Sequence, residues 1–147
     1  MRLPIQVAVY CVRPTDNGWE YLMLHRVLPR LSFWQGVTGG VESGEEIPQT
    51  ARRELREETG FDLQPEAINY TYTFPADEFF EDVYEMPVDI ITQHVFVARV
   101  DRDSEPVLDQ VEHDYYQWRR YDDALEMLYW WDDKESLKRV AAHLAKS

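Results

Sequence analysis

The sequence predicts an α/β fold, a sheet covered by helices on its faces, organised as one domain over residues 1–147. Three observations carry this expectation. Apolar residues recur at period two in several short runs, two or three stretches with helical spacing lie between and after those runs, and 44% hydrophobic with 14% aromatic residues is enough for one core.

Ile5, Val7, Val9 and Cys11 alternate with their neighbours, and residues 21–26 form a second apolar run. Asp16-Asn17-Gly18 between them has hairpin-turn chemistry, so the chain is expected to open on an antiparallel hairpin. Residues 31–45 read as one short strand and a loop ending in Ser43-Gly44-Glu45-Glu46. A helix is expected over Ile47–Thr59, because Pro48 suits a first turn, where its missing N–H would be unpaired anyway, and Gly60 suits a stop. Strands follow at about 69–74 and 88–100, separated by an acidic, aromatic loop at 76–85. One more strand is expected at 115–120, then a brief helix to Met127 capped by Asp122. Leu137, Val140, Ala141 and Leu144 stand at i, i+3, i+4 and i+7, so the chain closes on an amphipathic helix with Asp132 or Asp133 as its cap.

Composition narrows the function. A net charge of −13 without a basic stripe disfavours polymeric nucleic acid as a partner. The lone Cys11 lies in an apolar run and reads as a buried structural thiol in a reducing compartment. The first residues carry no secretory h-region, and no apolar run approaches a membrane span, so a soluble cytoplasmic protein is expected. An acidic protein still binds a small phosphate compound when divalent cations stand between its carboxylates and the phosphates.

The chemistry concentrates between Gly39 and Phe61, GGVESGEEIPQTARRELREETGF. At about 100° per residue, Glu54, Glu57 and Glu58 fall within roughly a 100° arc of one helical face. Three carboxylates converging on one volume repel unless a cation neutralises them, and hard, oxygen-seeking Mg²⁺, with Mn²⁺ as the alternative, suits that task. Arg53, beside Glu54 and four residues before Glu57, is placed to orient a carboxylate. Gly39, Gly40 and Gly44 allow a tight turn close to the metal and phosphates.

Gly39, Glu45, Arg53, Glu54, Leu55, Glu57, Glu58, Gly60 and Phe61 fill the pattern G-x5-E-x7-R-E-U-x-E-E-x-G-U, with U an apolar residue. A chance match is on the order of 10⁻⁸ per starting position. The segment resembles the box of the Nudix hydrolase family. That resemblance implies an α/β/α sandwich with a mixed sheet, the box forming a loop-helix-loop. It implies Glu54, Glu57 and Glu58 as metal ligands, with Glu54 or a later glutamate as base for the attacking water. Glu112 is the candidate for a further catalytic and metal-binding carboxylate, since many relatives supply one from a loop after the box.

Two flanking runs narrow the resemblance: Phe33-Trp34-Gln35-Gly36-Val37-Thr38-Gly39 before the box, and Glu112-His113-Asp114-Tyr115-Tyr116-Gln117-Trp118 near the end. Both are similar to the bacterial dihydroneopterin triphosphate pyrophosphohydrolase subfamily. The resemblance implies that Arg26, Thr38 and Gly39 bind substrate, and that a pterin triphosphate or a nucleoside triphosphate such as dATP yields a monophosphate and pyrophosphate. The alternatives are diadenosine polyphosphates or nucleotide sugars as substrates, or a nucleotide-sensing domain that no longer cuts. Monomer and homodimer stay open.

Trp34, Phe79, Phe80 and Tyr84 read as core or loop anchors, with stacking on a purine or pterin ring as the alternative. His25, His94, His113 and His143 form no spaced metal-ligand group. His113 reads as a surface histidine, with a supporting role beside Glu112 as the alternative, and Glu58 is expected on a solvent-facing surface.

Overall fold

The computed structural model describes residues 2–27, 31–76, 90–109 and 113–146. They form strands β1 (Arg2–Thr15), β2 (Gly18–Val27), β3 (Ser32–Gln35) and β4 (Val37–Glu42), then helix α1 (Ile47–Thr59). Strands β5 (Glu66–Pro75), β6 (Ile90–Arg99) and β7 (His113–Arg120) follow, and α2 (Tyr121–Met127) and α3 (Trp131–Ala145) end the described chain.

Gly18, at φ +132°, completes the turn that sets Thr15 opposite Gly18, and the opening hairpin forms as its turn residues require. The long β1 is the hub of the sheet. Its later half pairs with β2, its earlier half pairs with β4, and its other edge runs parallel to β6. The main path is β3-β2-β1-β6-β5, with β7 also paired to β2. Every pairing except β1 with β6 is antiparallel, so the sheet is mixed.

Strand alternation sends Val7, Val9, Cys11, Leu22, Leu24, Phe96 and Ala98 to one face, where Ala51 and Leu55 of α1 cover them. Ala8, Tyr10, Val12, Met23, Val95 and Val97 point to the other face, under Ala124 of α2 and Leu137, Val140 and Leu144 of α3. This is the helix-sheet-helix sandwich expected, and Cys11 is buried in it. Fully burying a side chain such as Leu55 or Leu137 contributes about 2 kcal/mol.

The α1 limits are those expected. The N–H of Glu46 donates to the Gln49 side chain 2.8 Å away, Pro48 sits in the first turn, and Gly60 ends the helix at φ +80° while its N–H donates to the Arg56 carbonyl. Elsewhere the local rules misplace detail. The stretch at 31–45 holds two strands, because Val37–Glu42 finds a partner in β1 that its glycines conceal. Strand β5 runs from Glu66, and β7 begins at His113. Arg120 and Trp130 occupy the N-cap positions of α2 and α3, so Asp122, Asp132 and Asp133 fall in the first turns, where they face the helix dipole without capping it. The acidic loop expected at 76–85 lies, from 77 on, outside the described residues, as does the start of the strand expected at 88.

Candidate active site

The β4 strand and the loop after it pack against α1 at Thr50, Arg53 and Glu54. A Cβ added to Gly39 would run into the Glu54 side chain, so only glycine lets the strand and that carboxylate pack so closely. Glu45, at the loop's end, accepts a hydrogen bond from the Glu42 N–H at 3.1 Å and another from the Thr50 hydroxyl at 2.6 Å. Loop and helix are thus tied together before any ligand is considered.

Arg53 organises the carboxylates. Its Nε and Nη2 donate to the two oxygens of Glu45 at 2.7 and 3.0 Å, a bidentate fork. Nη2 also reaches the Gly40 carbonyl at 3.0 Å, and Nη1 donates to Glu54 at 2.7 Å and to Glu57 at 3.3 Å. One guanidinium therefore spans three glutamates and the glycine loop. Its hydrogen bonds hold the Glu45 carboxyl down at about 2. The same pairing raises Arg53 above its ordinary value.

The three glutamates expected on one face differ in setting. The Glu57 side chain is half exposed, Glu54 is largely enclosed, and Glu58 is 2% exposed, so the solvent-facing placement expected for Glu58 is wrong. The reason is tertiary: His113, at the start of β7 and in contact with Gln35 at the end of β3, lies against Glu58. Glu54 and Glu58 stand one helical turn apart, so their carboxyls interact. Burial pushes the Glu54 carboxyl up, opposed by its interaction with Glu58 and by Arg53.

His113 is the clearest correction. It is fully buried, with Nδ1 3.4 Å from Glu58 Oε1 and Nε2 3.0 Å from Gln35 Nε2. A bulge puts it there. His25 opposes Tyr115 while Arg26 opposes His113, so Asp114 is the extra residue in β7. Without it, His113 would share the face of Tyr115; with it, His113 turns to the α1 face. Gln35, a candidate the sequence reading passed over, lies opposite Leu24 of that same face.

Of the other candidates, Arg26 lies opposite both Phe33 and His113, on the α1 side of the sheet. Gly39 is opposite Val7 on that side, whereas Thr38 is opposite Ala8 and belongs to the α3 side. Trp34 is partly buried in an aromatic row with His25 and Tyr115, at ring distances of 4.9 and 5.2 Å. Glu112, Phe79, Phe80 and Tyr84 lie outside the described residues.

Among the described residues no three His, Cys, Asp or Glu side chains already stand in metal-binding array. The donor set nonetheless fits a hard divalent cation. Two largely enclosed carboxyls one turn apart on one helix, Glu54 and Glu58, need a shared proton or a positive charge nearby, their ligand atoms are all oxygen, and the third carboxylate, on Glu57, is exposed enough to turn. No helix of the described residues is long and apolar enough to cross a membrane.

The sequence matches the NUDIX domain family over residues 4–140, and the chain belongs to this family of hydrolases. It is 30% identical over 144 residues to the dihydroneopterin triphosphate diphosphatase of Haemophilus influenzae, covering 95% of this chain and 89% of that one. It is 33% identical over 136 residues to an octanoyltransferase of Myxococcus xanthus, covering 92% of this chain but only 36% of that protein. The fold superposes on the Escherichia coli dihydroneopterin triphosphate pyrophosphohydrolase with a TM-score of 0.81 at 26% identity, over 96% of this chain and 97% of that one.

Proposed function

We propose that this chain hydrolyses a phosphoanhydride bond in a pterin or nucleoside triphosphate, using Mg²⁺ or Mn²⁺ and releasing a monophosphate and pyrophosphate. The observation that carries the reading is Arg53 spanning Glu45, Glu54 and Glu57, with Glu58 buried one turn after Glu54 and Gly39 packed against the Glu54 side chain. The named activities of the Haemophilus and Escherichia relatives support the substrate class.

Glu54, Glu57 and Glu58 would hold the cation, with Glu112 as a further ligand. When bound, the ion offsets phosphate charge and polarises the bond to be cut. The remaining work falls to the chain. Arg53 keeps Glu45, Glu54 and Glu57 in register, so the carboxylates are set before substrate arrives. Glu54 or a later glutamate takes the proton of the attacking water, within hydrogen-bond reach. Arg26, on the α1 side of the sheet, is the cation offered to the phosphates, and the bare backbone at Gly39 lets them approach.

The test is Mg²⁺-dependent turnover across dihydroneopterin triphosphate, dATP, other nucleoside triphosphates, diadenosine tetraphosphate and nucleotide sugars, with products separated. A triphosphate should be cut best, with pyrophosphate appearing. Glu58→Gln should lower kcat by a factor of about 10³ and weaken Mg²⁺ binding. Wild-type turnover in that variant would sink the site assignment. A dinucleotide or sugar as best substrate would overturn the substrate class, and nucleotide binding without cleavage would make the domain a sensor.

A further inference from the structure

We propose that His113 is a positioning residue for Glu58, held by Gln35 in the ring form that carries its proton on Nδ1 and presents that N–H to the carboxylate. This rests on the function proposed above and concerns the same site.

Gln35, His113 and Glu58 are 5%, 0% and 2% exposed, and they come from the end of β3, the start of β7 and the last turn of α1. Burying three polar side chains together is costly unless their groups satisfy one another. Gln35 Nε2 has only N–H groups to offer, so its 3.0 Å contact makes His113 Nε2 the acceptor. The proton of the neutral ring then resides on Nδ1, which is 3.4 Å from Glu58 Oε1. The other tautomer would set a nitrogen lone pair against a carboxylate in a dry setting. The chain from Gln35 through His113 thus has one direction, and it ends on Glu58, one helical turn after Glu54.

Glu58 lies in the last turn of α1, and a glutamate there has freedom at three torsions. An N–H aimed at Oε1 selects one orientation and leaves the other oxygen for the site, as partners behind a metal ligand commonly do. The β7 bulge at Asp114 is what delivers this group, since it turns His113 onto the α1 face.

The experiment compares two replacements that differ only in where they place an amide. His113→Asn keeps a donor near the position of Nδ1, whereas His113→Gln keeps a polar group near Nε2 and loses the donor at Glu58. Mg²⁺ affinity by calorimetry, kcat and KM at saturating Mg²⁺, and Tm are read for both. His113→Gln should lower Mg²⁺ affinity and kcat by about 10- to 100-fold with KM little changed, and His113→Asn should recover most of that loss. Equal losses in both, following an equal fall in Tm, would reduce His113 to packing and overturn the proposal. Should neither variant fold, ¹⁵N spectra of the wild-type imidazole decide: a neutral ring protonated on Nδ1 supports it, and one protonated on Nε2 overturns it. Glu58→Gln in parallel separates the failures. If that variant keeps wild-type turnover and Mg²⁺ affinity, the proposed function falls; if it is impaired while the histidine variants match each other, only the role of His113 falls.

Discussion

The two faces of the sheet bury carboxyl groups under opposite rules. On the α1 face, Arg53 sits among Glu45, Glu54 and Glu57, and the Glu45 carboxyl is held down at about 2. On the α3 face, Asp133 lies at the start of the helix against Tyr72, and burial, helped by the charge of Asp132, pushes its carboxyl up to about 7. Besides Asp132, neutral groups stand near it: the Gln93 amide donates to the Tyr72 hydroxyl at 2.7 Å, and the Ser136 hydroxyl donates to the Asp132 carbonyl at 2.8 Å. Negative charge is therefore stabilised at Glu45 and suppressed at Asp133, while Glu54, beside Arg53 but enclosed, is still pushed up by burial. The difference teaches that the acidity of this protein is organised. A guanidinium beside a carboxylate favours its ionised form, and desolvation opposes it.

That contrast can be broken at either face. The largest effect after Glu58→Gln is expected from Gly39→Ala. The new methyl group collides with the Glu54 side chain, whose free end can swing away, so the cost falls on geometry more than on folding. Turnover should drop at least about 100-fold while stability changes by about 1 kcal/mol; activity assays and thermal melts on one preparation would show whether the two separate. Arg53→Lys keeps the charge but loses the fork to Glu45. A fall in kcat/KM of about 10- to 100-fold and a destabilisation of about 1–2 kcal/mol are expected, and near-normal kinetics would show that charge alone organises the glutamates.

The smallest effect belongs to the opposite face. Asp133 has a folded value near 7 against an ordinary 3.8. The folded state therefore holds its proton more tightly than the unfolded chain does. Below the ordinary value neither state is ionised and no penalty exists; stability is lost as pH rises between the two values, and the penalty is complete above about 7. Asp133→Asn should flatten Tm between pH 5 and 8 and raise it by a few degrees at pH 8, leaving kcat unchanged. A pH profile identical to wild type would show that Asp133 is already ionised in the folded protein.

Much of this molecule was legible because it is written locally. The α1 limits follow from Pro48 and Gly60, the opening hairpin from Asp16-Asn17-Gly18, and the closing helix from the spacing of Leu137, Val140 and Leu144. Strand β4 was harder, since Gly39 and Gly40 read as loop residues until β1 supplies a partner. The caps assigned to Asp122, Asp132 and Asp133 failed for a related reason: Asp residues suit both a cap and a first turn, and the packing of α2 and α3 chose the register.

By itself, then, the sequence determined the box helix, the spacing of Glu54, Glu57 and Glu58 on it, the placing of Arg53 beside them and the alternation that gives the sheet two apolar faces. These depend on offsets of a few residues, and helix and strand geometry turn such offsets directly into directions in space. Only the tertiary structure decided which of those glutamates would be buried, that Gln35 would reach His113, and that one extra residue at Asp114 would turn His113 onto Glu58. Those outcomes join positions 35, 58 and 113, and a single inserted residue reverses the face of a strand, so no local pattern contains them.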